Sequence, residues 1–300
     1  MKKKTYLFAL MAMGLTLGSC SDNENGIGGE TSKYITVSTS IGNMTRVATD
    51  EKGGQTFEEG DEISVYAWTG DATVAPETSE RVVNNAINKL TNGSWVSTPQ
   101  MLWKNNRDKH YFIGVYPTAA ISDLSAGEYT FDANKQTESD LLVAVNPDGL
   151  SYNVDEPQTV PLTFTHVMAK LVVNLTYKNQ WGGIPTVEKV VVGNAAKEAT
   201  INYLTKVVTP STTAKEDFSL PEITENTKYV SVIIPQEEVT QLTIVIGGKN
   251  FVYDNGTPFK LESGKITTVN LEVGRDEIKL GDVKITNWED GSTFSGEALN

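Results

Sequence analysis

Thr243-Ile244-Val245-Ile246-Gly247-Gly248-Lys249-Asn250-Phe251-Val252-Tyr253 decides the fold class. Two runs of β-branched and aromatic residues flank a Gly-Gly pair, and only glycine takes the positive φ angles of a primed two-residue turn without steric cost. The stretch predicts a β-hairpin. The same pattern continues outward in both directions as short β-branched and aromatic runs separated by turn residues, and no 3.6-residue period is sustained over twelve positions. Strands are expected at 34–41, 62–68, 109–116, 128–131, 141–145, 160–164, 168–176, 187–192, 229–234, 242–246, 250–253, 267–273 and 282–286. Residues 84–90 are short, uncapped and rich in asparagine, and read as a strand rather than a helix. Asn92-Gly93, Asp148-Gly149 and Asn255-Gly256 mark further connections. The chain is therefore expected to be all-β, with many short strands forming two β-sandwiches in series. The boundary is placed near Pro161, where the polar run 148–158 gives way to a new block of strands, so the sandwiches take residues 47–160 and 161–300.

Composition narrows the function classes. The chain has one cysteine and two histidines, so intramolecular disulfides and multi-thiolate metal sites are excluded and imidazole chemistry has little to work with. No metal and no cofactor is expected. Lys+Arg 25 against Asp+Glu 38 gives a net charge of -13, a surface that repels phosphate backbones, so no nucleic-acid partner is expected.

Catalytic signatures are missing from the sequence. His110 opens a strand beside Tyr111-Phe112 and His166 follows Phe164-Thr165 at a strand junction, and both read as histidines satisfied by backbone bonds. No Gly-x-Ser-x-Gly elbow, P-loop or His-Glu-x-x-His helix occurs, and no catalytic residue is assigned. A paired-carboxylate glycosidase stays open, because two acids from distant strands leave no local signature. Asp254-Asn255-Gly256 lacks the residue order of a calcium loop and reads as a turn. Trp68, Trp95, Trp103, Trp181 and Trp288 are available to stack on sugars, although tryptophan in a strand is more often core.

The N-terminus carries an address. Lys2, Lys3 and Lys4 precede an apolar run from Tyr6 to Leu17, which is too short to span about 30 Å of hydrocarbon and reads as an export signal. It ends in Leu17-Gly18-Ser19-Cys20, which resembles a bacterial lipoprotein lipobox with Cys20 as the lipidated residue. Residues 1–20 are thus expected to be a signal peptide, and 21–46 a tether and first strand, a candidate propeptide. The acidic run Ser21-Asp22-Asn23-Glu24-Asn25-Gly26 is either a surface-export signal or a solvated linker.

Phe57-Glu58-Glu59-Gly60-Asp61-Glu62-Ile63-Ser64-Val65-Tyr66-Ala67 resembles the fimbrillin-like family, which includes the type V pilins of Gram-negative anaerobes. Further matches follow in order: Trp103 ahead of Tyr111-Phe112-Ile113-Gly114-Val115-Tyr116-Pro117, then Asp140-Leu141-Leu142-Val143-Ala144, then Leu162-Thr163-Phe164-Thr165-His166-Val167-Met168-Ala169-Lys170-Leu171, then Ile285-Thr286-Asn287-Trp288. The resemblance runs from Cys20 to the end. It implies two transthyretin-like sandwiches, with Greek-key connections, in a pilus subunit, shaft or tip, made as an outer-membrane lipoprotein. It also implies that an Arg-specific protease removes the lipidated segment and first strand, and that the groove accepts a strand from another fimbrial subunit, with adhesion and biofilm formation as the output. Arg46 in Met44-Thr45-Arg46-Val47-Ala48 is the candidate site, with Val47 as the new N-terminus; taken alone, Arg46 is an ordinary solvated residue.

Strand exchange has a physical basis in residues 34–41. Alternation places Ile35, Val37 and Ile41 on one face, so removing the strand would expose an apolar groove and unpaired backbone groups. The donor is expected in the tail after Trp288, where Phe294 and Ala298 share a face around Gly296 while Leu299 points the other way. The rival reading is a monomeric surface glycan-binding lipoprotein, which needs an exposed aromatic cluster. The surface receptor is not legible in either case.

Overall fold

The computed structural model describes residues 33–42, 56–153, 158–239, 241–253 and 258–288. Its first strands are β1 (Thr36–Ile41), β2 (Glu62–Thr69), β3 (Val83–Thr91), β4 (Ser94–Thr98), β5 (His110–Tyr116), β6 (Gly127–Thr130), β7 (Leu142–Leu150) and β8 (Thr159–His166). There follow β9 (Ala169–Tyr177), β10 (Val187–Ala196), β11 (Glu198–Asn202), β12 (Val207–Pro210), β13 (Lys215–Ser219), β14 (Glu222–Thr224) and β15 (Lys228–Ile233). The chain closes with β16 (Gln236–Val239), β17 (Leu242–Ile246), β18 (Lys249–Tyr253), β19 (Phe259–Leu261), β20 (Lys265–Val273) and β21 (Ile278–Asn287). Two 3-10 turns, Thr78–Glu80 and Asn179–Trp181, are the only helical segments among the described residues.

The fold is all-β. Gly247 and Gly248, at φ 57° and 72°, turn β17 into β18, and Asn92 and Gly93, at 51° and 72°, turn β3 into β4. Residues 84–90 lie inside β3. Asp148-Gly149 does not end its strand: β7 runs through it as a bulge, because the Tyr111 ring packs where a Gly149 side chain would stand and Asn146 Oδ1 takes the Gly149 N–H at 3.0 Å. Asn255-Gly256 lies outside the described residues.

The first half forms a seven-stranded sheet in the order β1-β8-β7-β5-β2-β3-β4, in which β1 and β8 run parallel. Alternation sends Ile63, Val65, Ala67, Phe112, Ala144, Val160, Leu162 and Phe164 to one face, where they form a single buried cluster with β1. The sheet curls around that cluster until its outer strands meet. Tyr34 bridges Leu102, the Ile35 N–H donates to Met101 O at 3.0 Å, and the Trp103 N–H donates to Lys33 O at 3.2 Å.

The opposite face of the same strands is also buried. Tyr66, Trp68, Ile113, Val115 and Val143 belong to a second cluster that continues through Leu171, Val190, Ile244 and Val269 of the second half. That half holds a five-stranded sheet, β14-β15-β9-β20-β21, and a four-stranded sheet, β13-β10-β17-β18. A three-stranded sheet, β12-β11-β6, takes one strand from the first half, and β16 pairs with β19. Pro161 sits inside β8, opposite Ser38 of β1, and the seven-stranded sheet takes β8 whole. A proline is tolerated there because β7 pairs with β8 only from Phe164 onward.

Close packing at the centre is set by Gly114. A Cβ there would lie 2.6 Å from Phe164 Cζ and 3.1 Å from Leu162 Cδ1, so the fully buried Phe164 ring would have to shift within a close-packed cluster. Gly114→Val is expected to lower unfolding stability by about 1–3 kcal/mol through overpacking, read as a lower midpoint in urea with an unchanged slope. A midpoint equal to that of the parent protein would contradict this packing.

Candidate functional site

β1 reads Thr36-Val37-Ser38-Thr39-Ser40-Ile41, and β-branched residues at more than half of its positions favour the extended conformation. Ile35, Val37 and Ile41 are buried at 2%, 6% and 8% exposure, while Thr36, Ser38 and Ser40 face solvent. Burying each aliphatic side chain contributes roughly 1.5–3 kcal/mol. Along β8 the pairing is continuous from Thr36–Thr159 to Ile41–Phe164, and hydroxyls of Thr36 and Ser40 lie 3.2 Å from those of Thr159 and Thr163. The other side of β1 is different. Beyond the Tyr34–Leu102 bridge, its contact with the β4 edge includes one side-chain bond, from Trp95 Nε1–H to Thr39 Oγ1 at 3.0 Å. Cys20, Arg46, Val47, Phe294 and Ala298 all lie outside the described residues.

A second constellation forms at the end of β8. His166 Nδ1 lies 2.8 Å from Asp140 Oδ1, so the carboxylate accepts the Nδ1–H, and the imidazole stacks on the Trp288 indole at 4.0 Å between centroids and 5° between planes. The Lys170 ammonium stands 5.5 Å from the centre of that indole. Burial pulls the Lys170 ammonium below the usual lysine range, and the Asp140 carboxylate opposes that shift. The Trp288 N–H donates to Gly264 O at 3.0 Å, and Gly264 in turn donates to Met168 O at 2.9 Å. Gly264 has φ +66° and a Cβ there would lie 3.0 Å from His166 O, so glycine is required.

Asp140, His166, Lys170 and Trp288 come from three separate sequence blocks and meet at one place. Their separations along the chain carry no periodicity, so sequence spacing offers no signal for this cluster. Its consequence is geometric. His166 stands two residues beyond Phe164, the partner of Ile41, so Trp288 and the end of β1 lie at the same end of β8. We expect Trp288→Ala to cost about 3 kcal/mol, the lower end for truncating a buried tryptophan, and Trp288→Phe to cost less. Urea unfolding of both variants checks this, and an undiminished midpoint for Trp288→Ala would remove the clamp from the structure's energetics.

The tryptophans are all engaged by the fold. Trp68, Trp103 and Trp288 are buried, and Trp68 donates its N–H to Asp71 O at 2.9 Å. Trp181 donates to Val273 O at 3.0 Å, and Trp95 packs edge-on against Phe57 at 5.3 Å. His110 is fully buried beside Trp103; its Nε2 accepts the Lys104 N–H at 3.0 Å and its Nδ1–H donates to Asp108 O at 3.1 Å. The carboxylates of Asp71 and Asp123 are held below their usual range by hydrogen bonds from Thr73 and Ser125, and that of Glu277 by Lys178.

Burial also pushes the His110 imidazole below its ordinary pKa, against the hydrogen bond to Asp108 O that favours the charged form. The unfolded chain therefore binds a proton at a pH where the folded chain does not. Stability from this group is present above about pH 6.5 and is lost as pH falls from there toward the depressed folded value. Urea midpoints measured between pH 7.5 and 5.5 should fall for the parent protein and fall less for His110→Gln, and equal slopes for the two would remove His110 as the cause.

A family model described as fimbrillin-like matches residues 45–288. No curated protein sequence matches the chain. Among solved structures, a candidate cell adhesion protein from Bacteroides ovatus superposes with TM-score 0.65 at 17% identity, covering 85% of this chain and 98% of that one. Another from Bacteroides uniformis gives TM-score 0.59 at 19% identity, with 86% and 100% covered. A fimbrial protein from Bacteroides vulgatus gives 0.51 at 13%, with 84% and 99% covered. These likenesses establish a shared fold.

Proposed function

The chain belongs to the fimbrillin-like family, and from that premise we propose that it is a subunit of a cell-surface fimbrium, polymerised by exchange of its first strand. The observation that carries this reading is the one-sided bonding of β1. The strand plugs an apolar groove through Ile35, Val37 and Ile41 and has a full ladder only to β8. Its removal uncovers both the groove and the free edge of β8, and a strand from a neighbouring subunit restores the ladder and the burial together. The contact joins unlike surfaces, so repetition gives an open filament rather than a closed ring.

In this proposal the precursor is anchored in the outer membrane by acyl chains on Cys20. An Arg-specific protease cuts after Arg46, leaving Val47 as the new N-terminus and freeing the segment that carries β1. The residues after Trp288, with Phe294 and Ala298 on one face, are the strand offered to the next subunit. The output is adhesion and biofilm formation through a surface receptor, without catalysis.

The test treats the lipid-free chain, residues 21–300, with an Arg-specific protease, sequences the new N-terminus, and looks for high-mass ladders on unheated gels, with Arg46→Ala as control. The expected result is a Val47 terminus that the variant lacks, and a clean cut without a ladder means that the opened groove takes its strand from a different subunit. Resistance at Arg46 with a chain that stays monomeric would overturn the activation step and favour a monomeric glycan-binding lipoprotein.

A further inference from the structure

The slot that holds β1 is not uniformly apolar. Ile35, Val37, Thr39 and Ile41 share one face of the strand, and the third of these breaks the aliphatic series. Thr39 is half-buried, and its hydroxyl accepts the Trp95 indole N–H at 3.0 Å. That indole is held from behind: its ring meets Phe57 edge-on at 5.3 Å, and Phe57 packs against Phe164 at 5.1 Å and Tyr116 at 5.4 Å. An indole N–H is a donor only, and Trp95 is half-buried in the wall of the groove. A strand that brought a methyl group to this position would fill the volume and leave the donor without an acceptor.

We propose that the groove of β1 selects its incoming strand by a four-position code, aliphatic, aliphatic, oxygen-bearing, aliphatic on alternate residues, in which Trp95 reads the oxygen. This rests on the strand-exchange reading and names the partner that it requires. The residues after Trp288 do not carry the code. Their two faces read Asp290, Ser292, Phe294, Gly296, Ala298, Asn300 and Glu289, Gly291, Thr293, Ser295, Glu297, Leu299, and neither presents the order in either direction. Phe294 exceeds an aliphatic slot, and Gly296 and Ala298 leave theirs part-empty. The occupant is therefore a strand of a partner chain whose donor segment differs from residues 289–300 of this one, so neighbours in the fibre are unlike at this joint.

The experiment uses the full chain with a sequence-specific protease site inserted among residues 43–55, so that opening β1 does not depend on Arg46. After cutting, labelled peptides are offered in excess and their binding is followed by fluorescence anisotropy: residues 33–42, the same peptide with Thr39→Val, the same peptide with Thr39→Ser, and residues 289–300. The peptide of residues 33–42 is expected to enter, Thr39→Ser to bind within about twofold, and Thr39→Val to bind about tenfold more weakly, as expected for an orphaned half-buried donor. Opening the Trp95→Phe chain in the same way should erase the difference between the unaltered peptide and its Thr39→Val variant. Equal binding of these two by the parent chain, or binding of residues 289–300 as tight as that of residues 33–42, would overturn the code. If residues 33–42 themselves do not enter the cut chain, strand exchange fails and the code falls with it, and that outcome is seen before any peptide is compared.

Discussion

A sheet with two free edges leaves rows of backbone donors and acceptors unpaired, and the seven-stranded sheet of this protein resolves the problem by bringing its edges together across β1. β1 closes the inner cluster against the segment 101–103, and Ile35, Val37 and Ile41 supply one wall of it. The closure is asymmetric: a six-residue parallel ladder joins β1 to β8, whereas the opposite seam rests on the Tyr34–Leu102 bridge, two backbone bonds and the Trp95–Thr39 contact.

The central strands serve two interiors at once. On β2, Ile63, Val65 and Ala67 point into the closed sheet while Tyr66 and Trp68 point into the core shared with the second half. Tyr66 ties that second face to the chain outside the sheet, accepting the Ile121 N–H at 2.9 Å and donating to Ala119 O. Arg81 adds bonds to Ile121 O at 2.6 Å and Ser122 O at 2.5 Å. Local opening of the sheet at β1 therefore uncovers one cluster and leaves the larger one intact, because no β1 residue belongs to it.

Much of this was legible in the sequence, and the illegible parts share a cause. The hairpin of β17 and β18 shows itself because turn and strands are contiguous, and the alternation of Ile35, Val37 and Ile41 shows itself because period 2 is local. The short strands β4, β11, β12, β13, β14, β16 and β19 do not. They are three to five residues long and include polar segments such as Glu198-Ala199-Thr200-Ile201-Asn202, whose pairing is set by neighbours far along the chain. The boundary near Pro161 rests on the polar run 148–158 giving way to a new block of strands, whereas the pairing that places β8 in the seven-stranded sheet, with Pro161 beyond the end of the ladder to β7, is made with residues far along the chain. The stack of His166 on Trp288 and the bond from Trp95 to Thr39 join residues more than fifty positions apart, and only the folded topology brings them together.

The two constellations constrain each other in the proposed assembly. A fibre repeats regularly only if the donor strand leaves each subunit from a fixed point, since twelve residues extended reach at most about 40 Å and a loose root would spread that reach over many directions. Trp288 provides the fixed point: stacking on His166, the Lys170 ammonium above the ring and the backbone bond to Gly264 hold the residue that precedes the tail. His166 in turn continues β8, the strand whose edge is exposed when β1 leaves. The donor root is thus stacked on the last residue of the strand that offers the acceptor edge, and that contact fixes where the tail starts relative to the groove.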